Sequence, residues 1–413
     1  MKNKSAPEGN SVVNRQMDRR EFLGETSKGI LTATFVLSSL DPLSLAGKWL
    51  AKETGEKESP RVQGRKRNSG PVEYRRLGKT GLMVATIGFG AMRTRNPAVI
   101  HRALDLGINY IDTAHCYQGG NNEKLVGQVI ENRRQDAFIA TKVHVKNRKE
   151  MILSVESSLR SLRTDYIDII QLHNLRKPEQ VTSQEAMAAL EQLRKDGKVR
   201  FLGVTTHENE ATVLKSAAGT GFYDMVLLKY NFRSSPAVKE AIEIAEKAGL
   251  GIVAMKTQAG GYRSKEMGNL SPHQAALKWV LGNKNVATTI PSMVTFAQVE
   301  ENFQVMGTRM SWNDRKTLSR YARATDKVYC RLCGECRDTC PDMVSIPEVM
   351  RSLMYAEGYG DFPLGRSQYV SLAPDRSAAK CLQCKRCKAK CVNGLNIAAK
   401  MVRAHHLLTR GYS

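Results

Sequence analysis

The chain has 413 residues, enough for more than one domain, and its 41% hydrophobic and 25% charged residues exclude a disordered or fibrous protein. Lys and Arg outnumber Asp and Glu by 63 to 40, a formal charge of +23 that favours anionic partners. No basic run is interleaved with aromatics, so a nucleic-acid partner is not expected.

At the N-terminus, Arg19 and Arg20 followed by Phe22 and Leu23 resemble the twin-arginine export motif. An apolar stretch over 29–40 follows, too short for a membrane span, and Ser44-Leu45-Ala46 offers a small–x–small cleavage site. Residues 1–46 are therefore expected to be a signal peptide read by the twin-arginine translocase. The expected destination is the periplasm, or the cytoplasm if the signal is not used. Residues 47–71, rich in Lys, Glu, Gly and Ser, read as a flexible linker.

From Tyr74 the pattern becomes regular. A short hairpin turns at Gly78 and Gly81. Strand candidates follow at 85–91, 110–114, 138–143, 167–173, 200–205, 225–230, 251–256 and 286–291. Helices are expected to start near Pro97, Asn121, Lys149, Ser183, Glu208, Pro236, Ser271 and Thr295. Alternating strands and helices of this number predict an α/β fold, a (β/α)8 TIM barrel over 72–327. A doubly wound sheet would carry a Gly-rich phosphate loop after its first strand, and Gly88-Phe89-Gly90 lacks the third glycine.

Chemistry in such a barrel sits at the C-terminal ends of the strands. Asp112, Tyr117, Lys142 and His173 all fall there on consecutive strands. Asp112-Thr113-Ala114-His115-Cys116-Tyr117 with Glu123 beyond, Thr141-Lys142 and Leu172-His173 resemble the active-site motifs of aldo-keto reductases. That resemblance covers roughly residues 72–310. It implies NAD(P)H-dependent interconversion of a small carbonyl and its alcohol, with Tyr117 as general acid and base. Hydride transfer leaves an alkoxide that must be protonated. An unperturbed phenol, with a pKa of about 10, is a poor donor, so a neighbouring ammonium is expected to lower it. Lys142 would supply that charge, Asp112 would hold Lys142 ionised, and His173 would orient the substrate oxygen. Cys116 reads as a small packing residue rather than a reactive thiol.

The same resemblance places a nicotinamide cofactor across the last strands. Thr205 and Thr206 stand where family members commonly have Ser-Asn on the carboxamide, and Leu227 stands at the usual Gln. Met255 replaces the stacking aromatic, and Lys256, Gly260 and Gly261 would meet the pyrophosphate. Glu301 and Asn302 match the adenine contacts. Ser292 and Gln298 replace the basic residues that hold a 2′-phosphate, so NADP(H) and NAD(H) both remain open.

Eight of the nine cysteines form two runs. Cys330-x2-Cys333-x2-Cys336-x3-Cys340-Pro341 is the bacterial ferredoxin spacing, and Cys381, Cys384, Cys387 and Cys391 repeat it. Two [4Fe–4S] clusters follow, the fourth Cys of each run ligating the other cluster, as in two-cluster ferredoxins. Cluster one would use Cys330, Cys333, Cys336 and Cys391; cluster two, Cys381, Cys384, Cys387 and Cys340. Structural zinc is the competing reading. A helical stretch at 346–356 makes 328–413 a small, mainly α-helical ferredoxin-like domain. Lys380, Lys385, Arg386, Lys388 and Lys390 around the second run suit an acidic electron-carrier protein. The expected function is carbonyl chemistry coupled to electron transfer. The alternative is an electron-transfer or docking protein on a barrel that no longer binds nucleotide.

Overall fold

The computed structural model of the chain describes residues 72–262, 271–384 and 386–409. The expected signal peptide and linker lie outside the described residues. The first element is an antiparallel hairpin of β1 (Tyr74–Arg76) and β2 (Met83–Ala85), with Tyr74 opposite Ala85. Gly78 and Gly81 at its turn have φ of 51° and 72°, which glycine adopts without steric cost.

Parallel strands follow: β3 (Phe89–Gly90), β4 (Tyr110–Asp112), β5 (Phe138–Val143), β6 (Ile167–Leu172), β7 (Val199–Thr206), β8 (Met225–Lys229), β9 (Gly251–Met255) and β10 (Thr288–Thr289). Each pairs with its predecessor, making an eight-stranded sheet. The bridges Ile87↔Thr289 and Gly90↔Ser292 join the last strand to the first. The closed (β/α)8 barrel is the architecture expected. A side chain at Gly90 would run into the Ile290 carbonyl oxygen, so the seam closes only over a glycine. The first expected strand, 85–91, is divided: Ala85 pairs with Tyr74 in the hairpin, and the barrel strand proper is shorter. The helix expected at Glu208 begins at Glu210, because Thr206 Oγ1 donates to the Glu208 carbonyl in a turn that must finish first.

Side chains alternate across a strand, and the alternation positions the site. Phe138 and Ala140 of β5 point into the barrel, while Ile139 packs on the outer helices. Leu77, Leu82 and Val84 of the hairpin join this interior cluster, and Leu77 abuts Gly251 at the start of β9. The hairpin therefore plugs the N-terminal end. Each such fully buried Leu, Ile or Phe contributes about 1.5–3 kcal/mol. Continuing the inward rows toward the other end gives Asp112 after Tyr110, Lys142 after Ala140, Gln171 and His173 after Ile169, and Lys229 after Leu227. The apolar plug ends where the polar mouth begins.

Beyond the barrel run helices Trp312–Ala324, Ile346–Glu357, Phe362–Val370 and Ile397–Thr409. The helix expected at 346–356 is thus present. Val349, Met350, Leu353, Met401 and Leu408 form the small domain's core, and Cys330, Cys336, Cys340, Cys381 and Cys391 pack against it. The domain sits on the barrel's mouth. Lys229 Nζ donates to the carbonyls of Arg331 and Leu332 at 2.7 and 2.9 Å. The buried Glu208 takes Arg176 and Arg337 at 2.7 Å each, and both arginines also reach Glu348 at 2.8 Å. Arg93 clamps Asp361 at 3.1 Å and the Tyr359 carbonyl at 2.9 Å.

Candidate active site

Asp112, Tyr117, Lys142 and His173 meet at one rim of the barrel. Lys142 Nζ lies 2.5 Å from Asp112 Oδ1 and 2.6 Å from the Thr113 carbonyl, and Gln171 Nε2 donates to Asp112 Oδ2 at 3.1 Å. Burial raises the Asp112 carboxyl, against the pull of Lys142 and Gln171. The Lys142 ammonium lies 4.9 Å from the centre of the Tyr117 ring. Tyr117 packs edge-on to His173, ring centres 6.2 Å apart.

The expected depression of the Tyr117 phenol by Lys142 is not found. Burial holds the phenol well above its ordinary value, and the Asp112 and Cys116 charges push it further. The reason is geometric: the ammonium spends its charge on Asp112 and the Thr113 carbonyl and faces the ring. Burial, then Lys142, His144, His115 and Arg351, keep the His173 imidazole well below its usual range and therefore neutral. A protonated phenol and a neutral imidazole are both hydrogen-bond donors for a carbonyl oxygen.

Cys116 is exposed at the mouth, not packed, with Sγ 3.8 Å from His173 Nδ1. The loop after β4 turns it outward as Tyr117 turns in. Donor atoms of Cys116, His144 and His173 lie within 4.8 Å of one another. The two imidazoles stack at 25° with centres 4.6 Å apart, so their lone pairs run side by side instead of converging.

Met255, Lys256, Gly260, Gly261, Ser292, Gln298, Glu301 and Asn302 line one groove together with Asp112 and Tyr117. Gly358 and Tyr359 of the C-terminal domain form part of its wall, which the sequence reading did not anticipate. Lys256 Nζ lies 3.3 and 3.2 Å from the hydroxyls of Tyr355 and Tyr359. Burial, with Arg351, Arg93 and Lys229 adding like charge, holds its ammonium well below the usual lysine range. Thr205 and Thr206 are not among the residues lining this groove. Thr205 Oγ1 accepts the Asn174 amide at 2.7 Å, and Thr206 Oγ1 both donates to and accepts from the backbone of Glu208. Their hydroxyls serve the turn after β7. Beside them, Asn174 Oδ1 is buried without a partner among the described residues.

The thiols group electrostatically across the two runs. Cys330 and Cys336 lie in mutual electrostatic contact with Cys333 and Cys391, and Cys381 with Cys340, Cys384 and Cys387. Burial, with neighbouring thiolates, pushes Cys330 up to about 11, Cys336 to about 12 and Cys381 to about 11. Such thiols ionise only when a cation takes the charge. A single zinc needs its four sulfurs crowded around one point. Among the described residues, the donors found within 4.8 Å of one another are those of the Cys116 trio.

Comparison with known proteins agrees with this division. Residues 86–272 match the model of the aldo/keto reductase family, and residues 329–396 match that of a 4Fe–4S dicluster domain. An uncharacterized oxidoreductase, YqkF, of Bacillus subtilis is 26% identical over 288 residues, covering 58% of this chain and 92% of that protein. The L-galactose dehydrogenase of Arabidopsis thaliana is 27% identical over 297 residues, covering 60% and 92%. The aldo-keto reductase AKR11C1 of Bacillus halodurans in its holo form superposes with a TM-score of 0.53 at 25% identity, over 60% of this chain and 96% of that one. An aldo-keto reductase of Klebsiella pneumoniae, solved with NADP and acetate, gives 0.51 at 25% identity, over 61% and 95%. The chain is an oxidoreductase that joins an aldo/keto reductase domain to a C-terminal 4Fe–4S dicluster domain.

Proposed function

We propose that the barrel interconverts a small carbonyl compound and its alcohol with NAD(P)(H), and that two [4Fe–4S] clusters in the C-terminal domain exchange electrons with that site. One observation carries the reading: the groove from Tyr117 to Asn302 is walled in part by Gly358 and Tyr359 of the cluster domain itself. A nicotinamide bound there would supply the hydride, and the clusters the one-electron steps.

The residues present suit those groups. Gly260 and Gly261 have φ of 80° and 64° and let backbone approach a pyrophosphate. Lys256 is a buried cation surrounded by like charge, and an anion relieves that penalty. Cys330, Cys333, Cys336 and Cys391 would hold one cluster, and Cys340, Cys381, Cys384 and Cys387 the other. Tyr117 would give its proton to the carbonyl oxygen in reduction and take it back in oxidation. His173 would orient that oxygen, and Asp112 keep Lys142 charged. Ser292 offers no positive fork, and Gln298 Oε1 already accepts the Val294 amide at 2.7 Å. NADH is therefore expected to serve alongside NADPH. Cys384 and Cys387 are exposed beside the exposed Lys380, Arg386, Lys388 and Lys390. This is the face we assign to an acidic electron carrier, in a protein exported by the twin-arginine route to the periplasm.

Anaerobic titration of the cluster-loaded protein with NADPH and NADH tests the reading. Binding and bleaching of the visible cluster absorption are expected from both. Binding without bleaching removes the coupling. Failure of both nucleotides to bind removes the reductase and leaves a docking module on a vestigial barrel, the reading that Leu227 and Thr206 would then favour. A pH series adds a second check. The ammonium form of Lys256 meets the pyrophosphate, and that form is disfavoured in the free protein. Above the free lysine's depressed pKa, binding must take up a proton, so affinity falls as pH rises. Nucleotide affinity that stays flat across the neutral and alkaline range would remove Lys256 from the site.

A further inference from the structure

The helix Ile346–Glu357 belongs to the cluster domain, yet one of its faces looks into the barrel. Residues four apart share a helix face. Tyr355 on that face meets Lys256 at 3.3 Å, and Arg351 lies one turn earlier. Arg351 is in electrostatic contact with Tyr117, His173, His207 and Lys256, which come from the loop or strand ends after β4, β6, β7 and β9.

Among the described residues, four other cations at this mouth are engaged. Lys142 is held by Asp112, Lys229 by Glu210 at 2.7 Å, Arg93 by Asp361, and Lys256 by two tyrosine hydroxyls. Glu348, one turn before Arg351, has its carboxylate taken by Arg176 and Arg337. Arg351 Nε is buried and has no hydrogen-bond partner among the described residues. His207 Nδ1 beside it is in the same condition. Buried polar groups are nearly always satisfied, so two orphaned nitrogens at the barrel mouth call for an oxygen-rich ligand.

We infer that Arg351 and His207 form a carboxylate subsite of the barrel, and that the substrate is a carbonyl or alcohol compound carrying a carboxylate near the reacting carbon. The inference rests on Tyr117 and His173 being the reacting end. A guanidinium fork pairs a carboxylate through two parallel hydrogen bonds. A guanidinium that acts on Glu348 together with Arg176 and Arg337 but keeps an unpaired Nε, beside a neutral imidazole, matches a single negative charge. A dianion would need a second free cation, and Lys256 faces the nucleotide groove instead. Because Arg351 acts electrostatically on both Tyr117 and His173, we place the charge close to the reacting carbon, as in a 2-oxo or 2-hydroxy acid. The cluster domain thereby completes the substrate pocket as well as carrying iron.

The test is equilibrium calorimetry of the cluster-loaded protein with pyruvate and with pyruvamide, its uncharged isostere. Wild type is expected to bind pyruvate about ten- to a hundredfold more tightly. Arg351→Gln should collapse that preference toward unity at wild-type iron content, and Arg351→Lys should restore part of it. Equal affinity of the two compounds for the wild type overturns the inference, even if the glutamine variant cannot be isolated. So does a preference that survives in Arg351→Gln. If no carbonyl compound is turned over with either nucleotide while pyruvate still outbinds pyruvamide, the reductase reading fails and the subsite stands.

Discussion

Tyr117→Phe is expected to lower kcat by about 10²- to 10⁴-fold, the range of a lost general acid, while nucleotide affinity stays at its wild-type value. The substitution is surgical here. Phenylalanine keeps the ring that faces the Lys142 ammonium at 4.9 Å and packs edge-on to His173. Only the O–H is removed. Burial holds the phenol protonated well above neutral pH, so wild-type reduction should not decline through the neutral range for want of a donor. Asp112→Asn makes the contrast. It leaves Lys142 as a buried cation with the Thr113 carbonyl as its remaining close partner, and breaking a buried pair in that way costs about 3–5 kcal/mol. Urea unfolding should therefore separate the two variants: Tyr117→Phe folded and inactive, Asp112→Asn destabilised. Wild-type turnover in Tyr117→Phe would end Tyr117's candidacy as proton donor.

The parts of this molecule that repeat a local rule were legible in the sequence. Phe138–Val143 forms the expected strand residue for residue, because it is buried on both faces and opens on the apolar run Phe138–Ala140. Asn96, Ser183 and Thr295 cap the helices whose starts they mark. The tetrad was readable because Asp112, Lys142 and His173 continue inward strand rows and Tyr117 follows in the turn after β4, and the thiols because their spacing is their chemistry. What stayed hidden is contact between distant segments. The expected helix at 346–356 did not reveal that the face carrying Arg351 and Tyr355 would be turned toward the barrel. The engagement of Thr206 was hidden for a related reason: Glu208 is recruited to Arg176 and Arg337, and the turn that positions it uses the Thr206 hydroxyl. Lys142 lies at the mouth where the sequence put it, but which neighbours would absorb its charge is a matter of two or three ångströms that spacing does not encode.

The crossed thiol pairing leads to a sharp expectation for iron content. Cys340 belongs by sequence to the first run, yet lies with Cys381, Cys384 and Cys387. Cys340→Ala and Cys384→Ala should each remove the same cluster, so the double variant should keep roughly half the iron, as either single does. Cys384→Ala combined with Cys391→Ala should instead strip nearly all of it, because Cys391 lies with Cys330, Cys333 and Cys336. Uncrossed ligation predicts the reverse for both doubles, and iron analysis decides. The two clusters should also differ in what their loss does to the barrel. Cys384 and Cys387 are exposed. Cys330 follows Tyr329, whose ring abuts Gly260 in the nucleotide groove, and precedes the carbonyls that hold Lys229. Losing the first cluster leaves thiols that burial keeps protonated, on a loop that no iron pins to the mouth. Cys391→Ala should therefore weaken nucleotide binding as well as halving the iron, whereas Cys384→Ala should halve the iron alone.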